Sequence, residues 1–83
     1  MPLIVIPAAM KQLKAMPKAD ASRILEALEQ VSADLNSRFS FVTEMVGQPG
    51  TWRLRKGDWR AVYTIEGNDV VVTRIGNRRD IYR

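Results

Sequence analysis

The chain has 83 residues, of which 46% are hydrophobic and 27% charged, a composition typical of one small folded domain. It contains neither cysteine nor histidine, which excludes disulfides, thiolate or histidine metal sites and catalysis by imidazole. The net charge of +4 comes from residues 51–83, which carry eight basic and four acidic side chains, so a polyanion is the natural partner of that part of the chain.

No segment of the sequence is long and apolar enough to predict a membrane span. The opening stretch, MPLIVIPAAM, lacks the basic start and the long apolar core of a signal peptide. We therefore expect a cytoplasmic protein in which residues 1–83 form a single domain.

The N-terminal half predicts a strand followed by two helices. The apolar run LIVI (3–6) predicts a buried strand. Apolar positions at helical spacing then predict a short helix over 8–16, with Pro7 in its first turn. Asp20 is expected to cap a second helix, whose apolar residues recur with a period of 3.6 as far as Leu35. The two helices are interpreted as an antiparallel hairpin.

The C-terminal half predicts a meander of strands. Residues 36–50 are rich in turn formers and predict a connector. From residue 51 the apolar period changes to two, which predicts three strands at about 51–56, 59–66 and 69–76. The predicted fold is therefore α+β, in the order β-α-α-β-β-β, with an antiparallel-dominated four-stranded sheet and the two-helix hairpin packed on one face.

Arginines gather on one face of the first predicted hairpin. With Gly57-Asp58 as a two-residue turn, Arg55 faces Arg60 across the strands, and Arg53 lies on the same face because side chains alternate. Like charges directly opposite each other destabilise a hairpin. A bound anion would remove that cost, so we interpret this arginine face as a functional site. The alternative is that the arginines extend into solvent or pair with Asp58, Glu66 or Asp80.

Three further side chains depend on details of register and packing. Arg74 joins the arginine face if the loop at 67–69 has three residues, and lies on the other face if the loop has two. Trp52 is expected in the core. Trp59, at the edge of the turn, is expected to be partly exposed, where its ring could stack on a base.

The closing segment, GNRRDIYR, predicts a turn at Gly76 and Asn77. This turn would bring Arg78, Arg79 and Tyr82 back over the sheet. The basic face would then also hold a tyrosine.

These segments together resemble the RelE/ParE superfamily of toxins from bacterial and archaeal type II toxin–antitoxin modules. The resemblance covers nearly the whole chain and is most specific in WRLRKGDWRAVY and IGNRRDIYR. It implies a β-α-α-β-β-β fold and favours the RelE-like branch, whose members cut mRNA in the ribosomal A site with the ribose 2′-hydroxyl as nucleophile. The alternatives are a ParE-like toxin, which inhibits DNA gyrase and cleaves nothing, and a decayed member that only binds an antitoxin and its operator complex.

The resemblance also implies roles for individual residues. Arg60 and Arg78 would stabilise charge on the scissile phosphate, and Tyr82 would orient the 2′-hydroxyl or stack on the nucleotide. The implied RNA-binding residues are Arg53, Arg55, Lys56 and Arg79. Lys56, Tyr82 and an unaided 2′-hydroxyl remain alternatives for the activation of the nucleophile. The implied partners are a cognate antitoxin, the ribosome and mRNA, with no metal, cofactor or membrane.

Overall fold

In the computed structural model, which describes residues 3–81, two helices and five strands follow one another along the chain. In chain order they are β1 (Leu3–Val5), α1 (Pro7–Ala15), α2 (Lys18–Ala33), β2 (Val42–Glu44), β3 (Thr51–Lys56), β4 (Trp59–Glu66) and β5 (Asp69–Asn77). The α+β class is confirmed, but the sheet has one strand more than predicted. Among the described residues, neither helix is long and apolar enough to cross a membrane.

The sheet has the order β1-β5-β4-β3-β2. β1 runs parallel to β5, and the other three pairings are antiparallel. The prediction missed β2, a strand of three residues inside the connector. Its sequence gives no alternation long enough to signal a strand; it pairs because β3 offers it an edge, with Val42 opposite Leu54 and Thr43 opposite Arg53.

Both helices pack on one face of the sheet and form the core with it. Along α2, Ile24, Leu28 and Val31 are buried at the predicted helical spacing. From the sheet, Leu54 and Tyr63 face these helix residues and are almost completely buried. Since side chains alternate along a strand, the neighbours of these sheet residues lie on the opposite, helix-free face. That face carries the arginines.

The starts of the two helices differ in how well they were predicted. Pro7 occupies the first turn of α1 as expected, where its missing N–H costs nothing. α2 starts at Lys18, with Pro17 in the capping position and no side-chain cap. The predicted capping role of Asp20 is therefore wrong, because two more residues precede it in the helix. The Asp20 carboxylate accepts a hydrogen bond from the distant β4 instead.

The register between β4 and β5 corrects the expectation for Arg74. The loop is a two-residue turn, because Glu66 pairs directly with Asp69. A register shift next to Val62 then inserts one extra residue in β5, so that Arg74 lies opposite Val62. This β-bulge reverses the alternation beyond it. Arg74 therefore joins the arginine face even though the loop has only two residues.

Candidate functional site

The hairpin of β3 and β4 sets the arginine face in the predicted register. Arg55 lies directly opposite Arg60, and Arg53 lies opposite Val62. The turn between the strands consists of Gly57 and Asp58, and Gly57 has a φ of 58°. A glycine at this first turn position takes the left-handed conformation that a two-residue hairpin turn of type II′ requires. The turn chemistry thus fixes the register, and the register brings the like charges together.

An open hollow of about 430 Å³ lies over this end of the sheet. The residues that line it are Thr43, Arg53, Arg55, Arg60, Arg78 and Arg79. Five of the seven predicted site residues therefore meet around one space, and no carboxylate is among its described lining residues. Arginines in this number attract an anion strongly and can bind phosphate oxygens through two N–H groups each. Thr43 was not predicted, because its strand was not.

Backbone carbonyls of the hairpin hold the Arg60 side chain. Its Nη1 donates to the carbonyl oxygen of Gly57 at 2.8 Å and to that of Trp59 at 2.9 Å. Gly57 is the first residue of the turn, and Trp59 is the first residue of β4. The guanidinium is thereby fixed beside Arg55 despite the like charge.

The same turn also holds Arg78. The backbone N–H of Arg78 donates to the carbonyl oxygen of Asp58 at 2.8 Å. Its guanidinium Nε lies 3.5 Å from the Asp58 carboxylate, in a pair whose side chains are both more than half exposed. Sequence reasoning raised Asp58 only as a possible partner of the arginines in general. The structure makes it a specific neighbour of Arg78.

The segment after β5 turns back over the sheet, as predicted. The side-chain oxygen of Asn77 accepts a hydrogen bond from the backbone N–H of Arg79 at 3.0 Å. The backbone carbonyl oxygen of Asn77 accepts one from the backbone N–H of Ile81, also at 3.0 Å. Ile81 is buried, and its side chain lies over Gly76, where an added Cβ would meet it at 3.5 Å. Gly76 pairs with Arg60 in the sheet. This contact therefore anchors the turn next to the hollow.

Two predicted participants lie away from the hollow, and a third falls outside the described residues. The Lys56 ammonium lies 4.5 Å from the centroid of the Phe41 ring, in a cation–π contact, and Lys56 pairs with Trp59 on the face opposite the arginines. The Trp59 indole N–H donates to the Asp20 carboxylate at 3.0 Å, so this ring is directed towards α2 and away from the basic face. Tyr82 lies outside the described residues.

Among residues 3–81, neither the tyrosine nor a metal-binding group of carboxylates contributes to the hollow. Burial raises the pKa of Tyr63 to about 12, so its hydroxyl stays protonated at neutral pH, and it lies on the helix side of the sheet. Within residues 3–81, no group of three or more acidic side chains could hold a metal ion. The hollow is thus a cationic site whose described residues act by charge and hydrogen bonding.

Comparison with solved structures shows which proteins share this fold. The RelB–RelE antitoxin–toxin complex of Methanococcus jannaschii matches with a TM-score of 0.79 at 23% identity, covering 95% of this chain and 94% of that chain. The RelE–RelB complex of Pyrococcus horikoshii gives a TM-score of 0.78 at 23% identity, over 95% and 96%. The isolated RelE toxin of E. coli gives 0.78 at 18% identity, over 92% and 82%. No curated protein sequence matches the chain.

A family model gives the sequence relationship. The model described as the ParE toxin of the type II toxin–antitoxin system, parDE, matches residues 3–82. This match spans nearly the whole chain, including both helices and all five strands. The chain therefore belongs to the ParE toxin family of type II toxin–antitoxin systems, within the RelE/ParE superfamily.

Proposed function

We propose that this toxin is a ribosome-dependent mRNA endoribonuclease. The observation that carries the proposal is the hollow lined by five arginines, with Arg60 and Arg78 both held by the hairpin turn. Like charges directly opposite each other, as Arg55 and Arg60 are, cost stability. A polyanion repays that cost, and mRNA supplies closely spaced phosphates.

The proposed reaction is an internal transesterification. The ribose 2′-hydroxyl gives its proton to water and its oxygen attacks the adjacent phosphorus. The bond from phosphorus to the 5′-oxygen breaks, and that oxygen takes a proton from water, so the products carry a 2′,3′-cyclic phosphate and a 5′-hydroxyl. Negative charge grows on the non-bridging phosphate oxygens in the transition state. Arg60 and Arg78 are assigned to those oxygens, and preorganised donors in such a position are typically worth a few kcal/mol each.

The other arginines of the hollow are assigned to the flanking phosphates. Arg53 lies two positions before Arg55 on the same side of β3, and Arg79 comes directly after Arg78 in the turn. Contacts to phosphates position a strand without reading its sequence. Base preference would then come from the ribosome and from groups outside this set. Lys56, with its ammonium on Phe41, would add only long-range attraction.

Proton transfer is assigned outside the arginine set. An arginine is protonated at all relevant pH values and is a poor base, and the described Tyr63 lies on the other face. Tyr82 is therefore proposed to orient the 2′-hydroxyl, while the ribosome aligns that hydroxyl in line with the leaving 5′-oxygen. Alignment of reacting groups alone lowers a barrier substantially, because it removes translational and rotational freedom in advance.

A cognate antitoxin is the proposed protein partner. The archaeal structures that share this fold are complexes of RelE with RelB. A toxin of this activity would stop the growth of its own cell, so a partner chain must block it. We propose a segment with acidic and apolar side chains that covers the arginine face, since acidic groups complement its charge.

Inhibition of DNA gyrase is the second candidate function. The family model favours it, because the matching model is that of the ParE toxin. In that case the arginine face would contact a protein or lie close to DNA, and no RNA would be cut. The two candidates differ in what expression does to the cell: an mRNA endoribonuclease halts translation, whereas a gyrase inhibitor induces DNA damage.

The test is induced expression of wild type beside the double variant R60A/R78A, with growth followed and mRNA 5′ ends mapped. The expected result is new cuts in translated messages that the double variant no longer makes. R74A is the matched control, because Arg74 lies on the same face but does not line the hollow. Growth arrest with intact mRNA, or full cleavage by R60A/R78A, would overturn the proposal.

A further inference from the structure

The two-residue turn at Gly57 and Asp58 contacts both arginines that the proposed function assigns to the scissile phosphate. The Gly57 carbonyl accepts from Arg60, and the Asp58 carbonyl accepts from the backbone of Arg78. Arg78 lies 20 positions after Asp58, just beyond the end of β5. One tight turn therefore sets the distance between two groups that must act on the same phosphate.

We propose that Asp58 is a positioning residue for Arg78, an inference that rests on the proposed function. The Asp58 carboxylate lies 3.5 Å from Nε of Arg78, while Arg78 also lines the hollow. A guanidinium has five N–H donors, of which Nε supplies one. A carboxylate that engages the Nε side leaves donors for a phosphate, and it restricts the rotation of a long side chain before RNA arrives.

The alternative role for Asp58 is competition with the substrate. An acidic group next to a phosphate site lowers the local positive potential and occupies a donor. The exposure of both side chains decides between the two roles, because solvent screens an exposed pair and makes it cheap to rearrange. The Asp58–Arg78 ion pair is too weak to exclude a polyanion. The hydrogen bond from the Arg78 backbone N–H to the Asp58 carbonyl nevertheless keeps the two side chains adjacent.

The two roles predict opposite kinetic changes in D58N. This substitution keeps a side chain that suits a turn and removes only the charge. If Asp58 positions Arg78, single-turnover cleavage of mRNA on programmed ribosomes slows at saturating toxin by about two- to fivefold, the range for an exposed ion pair. If Asp58 competes, the maximal rate is unchanged or higher, and half-saturation falls to a lower toxin concentration.

A double-mutant cycle shows whether Asp58 acts through Arg78. In the R78A background, D58N should change the rate no further, since the group that it positions is gone. A purely structural effect of the turn would slow both backgrounds by the same factor. D69N is the matched control, because it also removes one carboxylate next to a two-residue hairpin turn, at the opposite end of β4.

A second measurement reads the contact without any cleavage. The Nε–Hε cross-peak of Arg78 in ¹⁵N-labelled protein should shift in D58N and stay in place in D69N. If wild type cuts no mRNA, the proposed function fails, and this shift alone then decides whether Asp58 holds Arg78. Slower cleavage only when Arg78 is present, together with the shift, supports the proposal. An unchanged maximal rate with an unmoved cross-peak overturns it.

Discussion

At the scale of single residues, Trp59 connects the β3–β4 hairpin to α2 through a side-chain hydrogen bond. Its indole N–H donates to the Asp20 carboxylate at 3.0 Å, across 39 positions of sequence. Both groups are partly buried, and a hydrogen bond to a charged acceptor is stronger than a neutral one. We expect W59F to lower the free energy of unfolding by about 1–2 kcal/mol, measured by urea denaturation.

The partner substitution separates the hydrogen bond from the loss of ring volume. D20A removes the same bond and leaves the indole in place. If the bond is the main term, the double variant D20A/W59F costs clearly less than the two single losses added together. Strict additivity would show that Trp59 stabilises the fold by packing alone.

Tyr63 gives the fold a pH dependence at high pH. Burial raises the pKa of its hydroxyl from 10.0 to about 12. The unfolded chain therefore loses this proton at lower pH than the folded chain does, and the contribution of the neutral hydroxyl is complete below pH 10. Between pH 10 and 12 the free energy of unfolding should fall by at most about 3 kcal/mol.

The check on Tyr63 is the same denaturation series with Y63F. This variant has no hydroxyl to ionise, so its stability should decline less steeply between pH 10 and 12. All other ionisable groups are the same in the two proteins and cancel in the comparison. Parallel curves for the two proteins would rule out Tyr63 as the source.

Residue positions were predictable where one local rule fixed them. Arg53, Arg55 and Arg60 were placed correctly on one face, because a two-residue turn and strict alternation suffice. Trp59 is partly exposed, as predicted, but the contacts of Lys56 and Trp59 were not predictable, because each finds its partner on a distant segment, Phe41 in one case and Asp20 in the other. Side chains next to a turn have a choice of direction that sequence spacing does not resolve.

At the scale of elements, the turn of the β3–β4 hairpin depends on Gly57. Its φ of 58° lies in the left-handed region that L side chains rarely adopt. We expect G57A to lower the free energy of unfolding by about 1 kcal/mol or more, measured by thermal or urea denaturation. Space is not the cause, since nothing lies within 4 Å of the added Cβ.

Gly76 supplies the control for that prediction. Its φ does not lie in the left-handed region. A Cβ added at Gly76 would meet Ile81 at an ordinary contact distance of 3.5 Å. G76A should therefore change stability by less than about 0.5 kcal/mol. If both variants lose the same stability, conformational strain at Gly57 is not the reason.

Long, regular elements of the fold were predictable, and irregular ones were not. β3, β4 and both helices have apolar repeats of the length that their period needs. β2 is only three residues long, and the bulge before Arg74 is a single extra residue. Both arise from pairing with a neighbouring strand, so their cause lies in a different part of the chain.

At the scale of the whole molecule, charge is separated along the helix-free face. Glu66 pairs with Asp69 at one end of β4, and Arg60 lies near the other end. Glu66 lies six positions after Arg60 along the strand, which is roughly 20 Å. That distance is about twice the screening length at physiological salt. The acidic pair therefore leaves the potential of the hollow intact, and it disfavours phosphates at the far end.

The concentration of charge in the hollow predicts how RNA binding depends on salt. A single-stranded nucleic acid that contacts Z cationic groups loses affinity with a slope of about −0.7Z in a plot of log K against log salt. If all five arginines of the hollow bind phosphates, the slope is about −3.5. The measurement is fluorescence anisotropy of a short 2′-O-methyl RNA, which cannot be cut, titrated at several KCl concentrations.

Two variants with the same loss of charge test where that dependence originates. R55A removes one hollow arginine and should reduce the slope by about 0.7. R23A removes an arginine that pairs with Asp20 on α2, at 3.6 Å, and should leave the slope unchanged. Equal slopes for R55A and R23A would mean that RNA responds only to net charge. A slope near −3.5 that falls only in R55A would instead locate the phosphates at the hollow, because counterions are released only where a phosphate and a cation meet.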